Sequence, residues 1–175
     1  MKTRVKKIEK VKLIDTKIFN DNRGFFYESF NRKRYKNLIN VSFVQDNLSF
    51  SKKNVIRGLH YRYKPQAQLV TLFYGKIFDV IVDLRKNSKT YKKWMGINLD
   101  FKKNNQLYMP PGVAHGFCVM SDYAIVHYKV SKYYEKDNEA GILWNDEMLN
   151  IKWPVKNPII SAKDKKHPYF KNIKS

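Results

Sequence analysis

The strongest constraint on this chain's fold is a two-residue hydrophobic period that recurs along its length. In Lys76–Leu84, read as KIFDVIVDL, Phe78, Val80, Val82 and Leu84 fall on one face and Ile77, Asp79, Ile81 and Asp83 on the other. Tyr123–Val130 repeats the pattern, with Ala124, Val126, Tyr128 and Val130 sharing a face. Successive side chains of a β-strand point to opposite sides, so this alternation predicts strands. Further strand-like stretches are Val11–Phe19, Val41–Phe50, Val55–Tyr61, Leu69–Tyr74, Trp94–Phe101 and Gln106–Met109. Turn residues separate them at Asp21-Asn22-Arg23-Gly24, Lys64-Pro65, Tyr74-Gly75, Lys86-Asn87-Ser88 and Pro110-Pro111-Gly112. The best helical candidate is one short stretch, Arg32 to Leu38. Eight or so short strands with regular turns predict an all-β, antiparallel jelly-roll barrel with short helices. From Glu147 onward, Trp153-Pro154, Pro158 and Pro168 predict an irregular C-terminal tail wrapped on the barrel.

A chain of 175 residues has the length of one domain, so residues 1–175 are expected to form a single unit. Apolar residues make up 43% and aromatic residues 15%, which excludes intrinsic disorder despite a formal net charge of +20. Of the 35 cations 28 are Lys, spread along the chain in pairs such as Lys6-Lys7, Lys52-Lys53, Lys92-Lys93 and Lys165-Lys166. Nucleic-acid binders instead concentrate charge on one element and favour Arg, so no nucleic-acid partner is expected. The charge reads as solvated lysine faces whose field raises the local concentration of an anionic ligand. No apolar run approaches the roughly 18 residues of a membrane span. The stretch MKTRVKKIEKVKLID is basic without an apolar run behind it, unlike a secretory signal. A cytoplasmic protein without membrane contact is expected. The single cysteine, Cys118, excludes a disulfide framework and a multi-cysteine zinc site, and its apolar neighbours predict a buried thiol.

A polar group on the inner face of a strand is costly unless paired or used, so the inward His, Tyr and Asp positions are where chemistry is sought. Pro110-Pro111-Gly112-Val113-Ala114-His115 matches the P-x-G-x-x-H half of a cupin signature. The other half, with two His one residue apart, is missing around Arg57–Arg62, so no metal is expected. Alternation puts His60 on one face with Ile56 and Gly58, which fits either a satisfied core histidine or a general base in an apolar cavity with Gly58 leaving room for ligand.

Nine segments, in order, resemble the dTDP-4-dehydrorhamnose 3,5-epimerase family. They are Asp21–Glu28 (DNRGFFYE), Phe43–Ser49 (FVQDNLS), Val55–Tyr61 (VIRGLHY), Phe78–Arg85 (FDVIVDLR), Pro111–Phe117 (PGVAHGF), Tyr128–Tyr134 (YKVSKYY), Gly141–Asp146 (GILWND), Ile151–Pro154 (IKWP) and Ser161–Asp164 (SAKD). The resemblance spans roughly residues 8 to 168. It implies a cupin-like jelly roll that works without a cofactor, dimerises with a second copy, and inverts carbons flanking the 4-keto group of a nucleotide-diphospho sugar.

By match to its motifs, His60 would be the base, Tyr128 the acid, and Asp164 the carboxylate that orients the imidazole. Asp83 is a further candidate behind the site, with pairing to Arg85 as its other reading. Arg23, Arg57 and Lys163 match positions near the diphosphate or sugar, with Gln45, Asn47 and His115 as hydrogen-bonding neighbours. Phe26 and Glu28 match positions that contact the nucleotide from a partner subunit, and Tyr134 one that packs on the sugar. The chain departs from the family at Gln68, where the family's Ala-Gln-x-Lys-Leu-Val segment has a Lys that helps to stabilise the enolate. That segment is two residues shorter here, and Lys64 and Arg62 are the nearby cations that could compensate. The nucleotide, dTDP or GDP, stays open, as do hexose against heptose and inversion at C3, C5 or both. A 3,4-ketoisomerase and a non-catalytic sugar-binding cupin are the competing readings.

Overall fold

The computed structural model describes residues 2–5 and 7–173. Along them run β1 (Lys2–Val5), β2 (Lys12–Asp15), β3 (Ile18–Asp21), β4 (Gly24–Tyr27), helix α1 (Arg32–Ile39), β5 (Gln45–Lys52) and β6 (Ile56–Arg62). Then follow β7 (Gln68–Tyr74), β8 (Lys76–Asp83), β9 (Trp94–Asp100), β10 (Asn105–Met109), β11 (Val113–Val119), β12 (Tyr123–Val130) and β13 (Glu139–Gly141). Strands β1-β2-β10-β7-β12-β5 form one sheet, β13-β6-β11-β8-β9 a second, and β3-β4 a separate hairpin. Pairing within these sheets is antiparallel throughout. This is the jelly-roll arrangement that the alternation predicts.

The two large sheets close on each other through Leu13, Val70, Leu72, Leu107 and Val126 from one and Ile77, Ile81, Phe117 and Val119 from the other. A second cluster lies on the outer side of the five-stranded sheet. There the tail residues Leu149, Ile151 and Phe170 cover Leu59, Tyr61, Val80 and Val82. Each such side chain contributes about 1.5–3 kcal/mol on burial, so the irregular tail is held as firmly as a strand. Its presence explains why β8 is buried on both faces, with Val80, Val82, Asp79 and Asp83 all at 0% exposure. Helix α1 covers the outside of the six-stranded sheet with Tyr35 and Ile39, against Ile14, Leu69 and Tyr108. Asn31 caps α1 by accepting from the Arg34 N–H at 3.1 Å, and Asn40 ends it in the left-handed conformation.

Three expectations change. Val11–Phe19 is not one strand, because Thr16 turns its N–H and its hydroxyl to the carbonyl of Asn104 and interrupts the ladder. Val113–Val119 is a central strand that the sequence did not announce. Its His115 and Gly116 break the apolar rhythm, and a bulge shifts its register between His115 and Phe117. Gly58 does not leave room for ligand. Its φ is +117°, and a Cβ there would lie 2.6 Å from the Gly116 Cα and 2.7 Å from the His115 carbonyl oxygen. The glycine is what lets β6 and β11 approach each other.

Candidate active site

Between the sheets, toward one end, lies a cavity of about 250 Å³. The period-2 geometry fills it with the polar members of otherwise apolar faces. From the five-stranded sheet come His60 and Arg62 of β6 and His115 and Phe117 of β11, with His60 directly opposite His115 in register. From the six-stranded sheet come Ser49 of β5, Gln68 of β7, and Val126 and Tyr128 of β12. His60 and Tyr128 therefore reach one cavity from opposite sheets.

Asp164 comes from the tail. Its Oδ1 lies 2.8 Å from His60 Nε2, and its Oδ2 accepts the Gly58 N–H at 3.1 Å. The Asp164 side chain is 6% exposed. Burial pushes its carboxyl up, but the bond and charge of His60, the Gly58 N–H and the nearby His167 outweigh that and hold it at about 2. A carboxylate ionised at neutral pH and bonded to Nε2 makes that nitrogen the N–H donor. The lone pair is then left on Nδ1. Burial raises the Tyr128 phenol above its ordinary value, and the charges of Arg57 and Arg62 pull it partly back. The cavity thus holds an imidazole fixed by a carboxylate through Nε2 and, across from it, a phenol that keeps its proton at neutral pH.

Behind the cavity His115 Nε2 sits 2.9 Å from Asp79 Oδ2. Burial raises the Asp79 carboxyl and His115 opposes the rise. This second histidine–aspartate pair was not singled out from sequence, because in KIFDVIVDL both aspartates share one face and nothing there tells them apart. Asp83 goes elsewhere: it accepts from Arg85, Ser88 and Thr90, clamping the turn after β8.

Gln45, Asn47, Tyr134 and Arg62 line an adjoining groove that also reaches Tyr128. Gln45 Nε2 donates to Asn47 Oδ1 at 2.8 Å, and the Tyr134 N–H donates to Gln45 Oε1 at 2.9 Å. Arg57 and Lys163 line a further groove beside His60 and Asp164. The Lys163 ammonium donates to Glu139 Oε2 at 2.5 Å, making Glu139 a half-buried carboxylate at the cavity wall that sequence reasoning missed. Lys64 is exposed and paired with Glu135 at 2.8 Å, so of the two compensating cations only Arg62 lines the cavity.

Arg23, Phe26 and Glu28 are not brought to this cavity. Arg23 is exposed on the β3–β4 turn and paired with Asp21, Phe26 is 69% exposed, and Glu28 bonds Asn31 and Arg34. Their expected reach is into a second subunit, and the described residues place them on the outside of this one. Cys118 is buried, which raises its thiol to about 11.

His167, which the sequence did not single out, packs edge-on against the His60 ring over the space left by Gly141. Its Nε2 lies 3.5 Å from Asp164 Oδ1, and burial, then the charge of His60, lowers it. His60, Asp164 and His167 bring ligand atoms within 4.8 Å of one another, the one such group among the described residues. Donors on a tetrahedral ion at about 2.0–2.1 Å stand about 3.3 Å apart. The 2.8 Å contact of His60 with Asp164 is shorter than that and has hydrogen-bond geometry.

These strands build a polar chamber in a cupin-like jelly roll, with a carboxylate-bonded histidine from one sheet and a phenol from the other, the arrangement of a carbohydrate isomerase. The model of the dTDP-4-dehydrorhamnose 3,5-epimerase family matches residues 5–172. A dTDP-4-dehydrorhamnose 3,5-epimerase of Shigella flexneri is 51% identical over 161 residues, covering 90% of this chain and 89% of that one. The crystal structure of a dTDP-6-deoxy-D-glucose-3,5-epimerase of Legionella pneumophila, in complex with dTDP-4-keto-L-rhamnose, superposes with a TM-score of 0.94 at 41% identity. It covers 99% of this chain and 94% of its own. That of a Bacillus anthracis dTDP-4-dehydrorhamnose 3,5-epimerase with TDP and PPi bound gives 0.92 at 46% identity, over 96% and 98%. The chain belongs to the dTDP-4-dehydrorhamnose 3,5-epimerase family.

Proposed function

We propose that this protein inverts C3 and C5 of a dTDP-linked 4-keto-6-deoxy-hexose, with His60 as base, Tyr128 as acid and Asp164 orienting His60. The observation that carries this reading is the placement of His60 and Tyr128 on opposite sheets across one cavity. Hydrogens beside a ketone are acidic because the carbanion delocalises onto oxygen as an enolate. His60 Nδ1 takes the proton from one side of the sugar ring and Tyr128 returns one from the other, which inverts the carbon. A ketoisomerase moves a carbonyl along the ring and has no need of groups on both faces. The whole set of base, acid and orienting carboxylate also favours turnover over mere sugar binding. The reaction as drawn uses side chains alone and routes no step through a cofactor.

Arg57 and Lys163 suit the diphosphate, and Gln45, Asn47 and His115 the sugar hydroxyls, with Tyr134 against the ring. A homodimer completes the site. Leu48, Phe50, Phe73 and Tyr123 are exposed on the outer side of the six-stranded sheet, an apolar surface suited to a second copy. Across that interface Arg23, Phe26 and Glu28 would reach the partner's nucleotide. Sedimentation analysis showing only a monomer would overturn the dimer. The cytoplasm is the compartment that a nucleotide-sugar substrate favours. Among the described residues no helix is long and apolar enough to cross a membrane.

The test is deuterium incorporation in D₂O, followed by NMR and mass spectrometry. The substrates are dTDP-4-keto-6-deoxyglucose and, separately, a GDP-linked 4-keto-heptose. Uptake at both C3 and C5 of the dTDP sugar is expected. Uptake from the GDP sugar alone would move the substrate assignment, and uptake from neither would overturn the reaction.

A further inference from the structure

Removing a proton beside a ketone drives an electron pair onto the carbonyl oxygen, so the cavity must stabilise an oxyanion at that atom. Two arginines line the cavity. Arg57 is exposed and committed: its Nε donates to Ser51 Oγ at 2.8 Å and its Nη2 to the Phe50 carbonyl at 3.3 Å. Arg62 is different. Its side chain is 19% exposed, the Tyr134 ring lies 5.1 Å from its guanidinium carbon, and its Nη2 is 4.0 Å from Glu139 Oε1, beyond hydrogen-bond reach. Its Nη1 is shielded from solvent and has no hydrogen-bond partner.

A buried guanidinium nitrogen without an acceptor is costly, and native proteins rarely leave one so unless a ligand completes it. Ser49 Oγ, on the facing sheet, is a second unpartnered buried atom lining the same cavity. Arg62 stands two residues beyond His60 on β6, so both side chains leave the same face of that strand. The β7 residue that lines the cavity, Gln68, is a neutral amide, and Lys64 is turned outward to Glu135.

We propose that Arg62 is the catalytic residue that holds the enolate oxygen, its guanidinium donating to the 4-keto oxygen while His60 removes the adjacent proton. His60 Nδ1 takes the proton from the carbon beside the carbonyl, and the released pair forms the carbon–carbon double bond. The carbonyl pair moves to oxygen, where Arg62 neutralises it. As the carbonyl reforms, the Tyr128 O–H delivers a proton to the opposite face; solvent then reprotonates the phenolate and takes the proton from the His60 imidazolium. The assignment rests on the epimerase reading above. It also makes Gln68 a neutral neighbour whose replacement by a cation can substitute for Arg62.

The experiment measures kcat, KM and deuterium uptake from D₂O for the wild-type protein, Arg62→Gln, Arg62→Lys and the double variant Arg62→Gln/Gln68→Lys, with circular dichroism as the folding control. Arg62→Gln should lose about 10²–10³-fold in kcat with KM within about threefold. Arg62→Lys and the double variant should each recover at least about tenfold of that loss, which a merely structural role for Arg62 would not produce. A kcat for Arg62→Gln within about threefold of wild type, a loss carried by KM alone, or no recovery in either charged variant overturns the assignment. Absence of exchange from the wild-type protein overturns the reaction and this assignment with it.

Discussion

Replacing Asp164 by Asn isolates the carboxylate bonded to His60, the group proposed to orient the base. The carboxylate accepts two bonds at once, from His60 Nε2 at 2.8 Å and from the Gly58 N–H at 3.1 Å. An amide has one acceptor atom and cannot serve both. If its oxygen keeps Gly58, its NH₂ faces Nε2, which must then be the lone-pair nitrogen, and Nδ1 carries the proton instead of taking one. If its oxygen keeps Nε2, two donors meet at Gly58 with a buried N–H left unpaired. Either way the imidazolium formed during turnover loses its counter-charge. A loss of about 10²–10⁴-fold in kcat is expected, the range for removing an oriented acid–base group or its orienting carboxylate.

Stability carries a separate signature of the same group. The Asp164 carboxyl is held from 3.8 down to about 2, which at about 1.4 kcal/mol per tenfold is on the order of 2 kcal/mol. Because the folded value is depressed, that contribution is present above the unfolded value near 4 and is lost as pH falls through about 2. Denaturant unfolding at pH 6 and near pH 2.5, read as wild type minus Asp164→Asn, should show most of the difference vanish in acid. Turnover within about threefold of wild type, or a stability difference unchanged with pH, would refute the reasoning.

Tyr128→Phe should cost about 10²-fold in the kcat of inversion while deuterium still exchanges, with retained configuration, at the carbon beside His60, since the imidazolium can swap its proton with solvent and return a deuteron to the face it left. Because burial raises the Tyr128 phenol, the proton it donates is present at neutral pH and lost only above about pH 10, so an alkaline fall in kcat beginning well below that would contradict its role. Gly58→Ala combines a positive φ with a Cβ 2.6 Å from the Gly116 Cα. It should cost about 3 kcal/mol or more, lower Tm by about 6 °C or more, and pull the Gly58 N–H away from Asp164; a melt within about 2 °C of wild type would refute the clash.

The strands most legible in sequence are those with one clean face. Tyr123–Val130 has the same bounds in the alternation and in the fold, and the inward direction of Tyr128 follows from its sharing a face with Ala124, Val126 and Val130. His60 is legible for the same reason. Val113–Val119 is not, because a bulge and a glycine erase the period just where His115 enters the cavity. Asp83 and Asp79 look alike in sequence, yet one holds a turn and the other backs a histidine. Which does which depends on what lies near each, Arg85 in one case and His115 in the other.

Alternation and turn chemistry are local, so the residues alone determined an antiparallel jelly roll, the inward direction of Tyr128 and the neutral Gln68. Contacts between distant segments are not encoded in any window of sequence. Only the family resemblance pointed to Asp164, 104 positions away, as a partner of His60; the closed fold makes that 2.8 Å contact, and it alone decided that His167 would sit on the His60 ring. It also decided that Lys64 would turn to solvent while Arg62, two residues earlier, faced the cavity with a shielded nitrogen unpaired. The physical reason is that burial and hydrogen-bond satisfaction are settled only once both sheets and the tail have closed around the cavity.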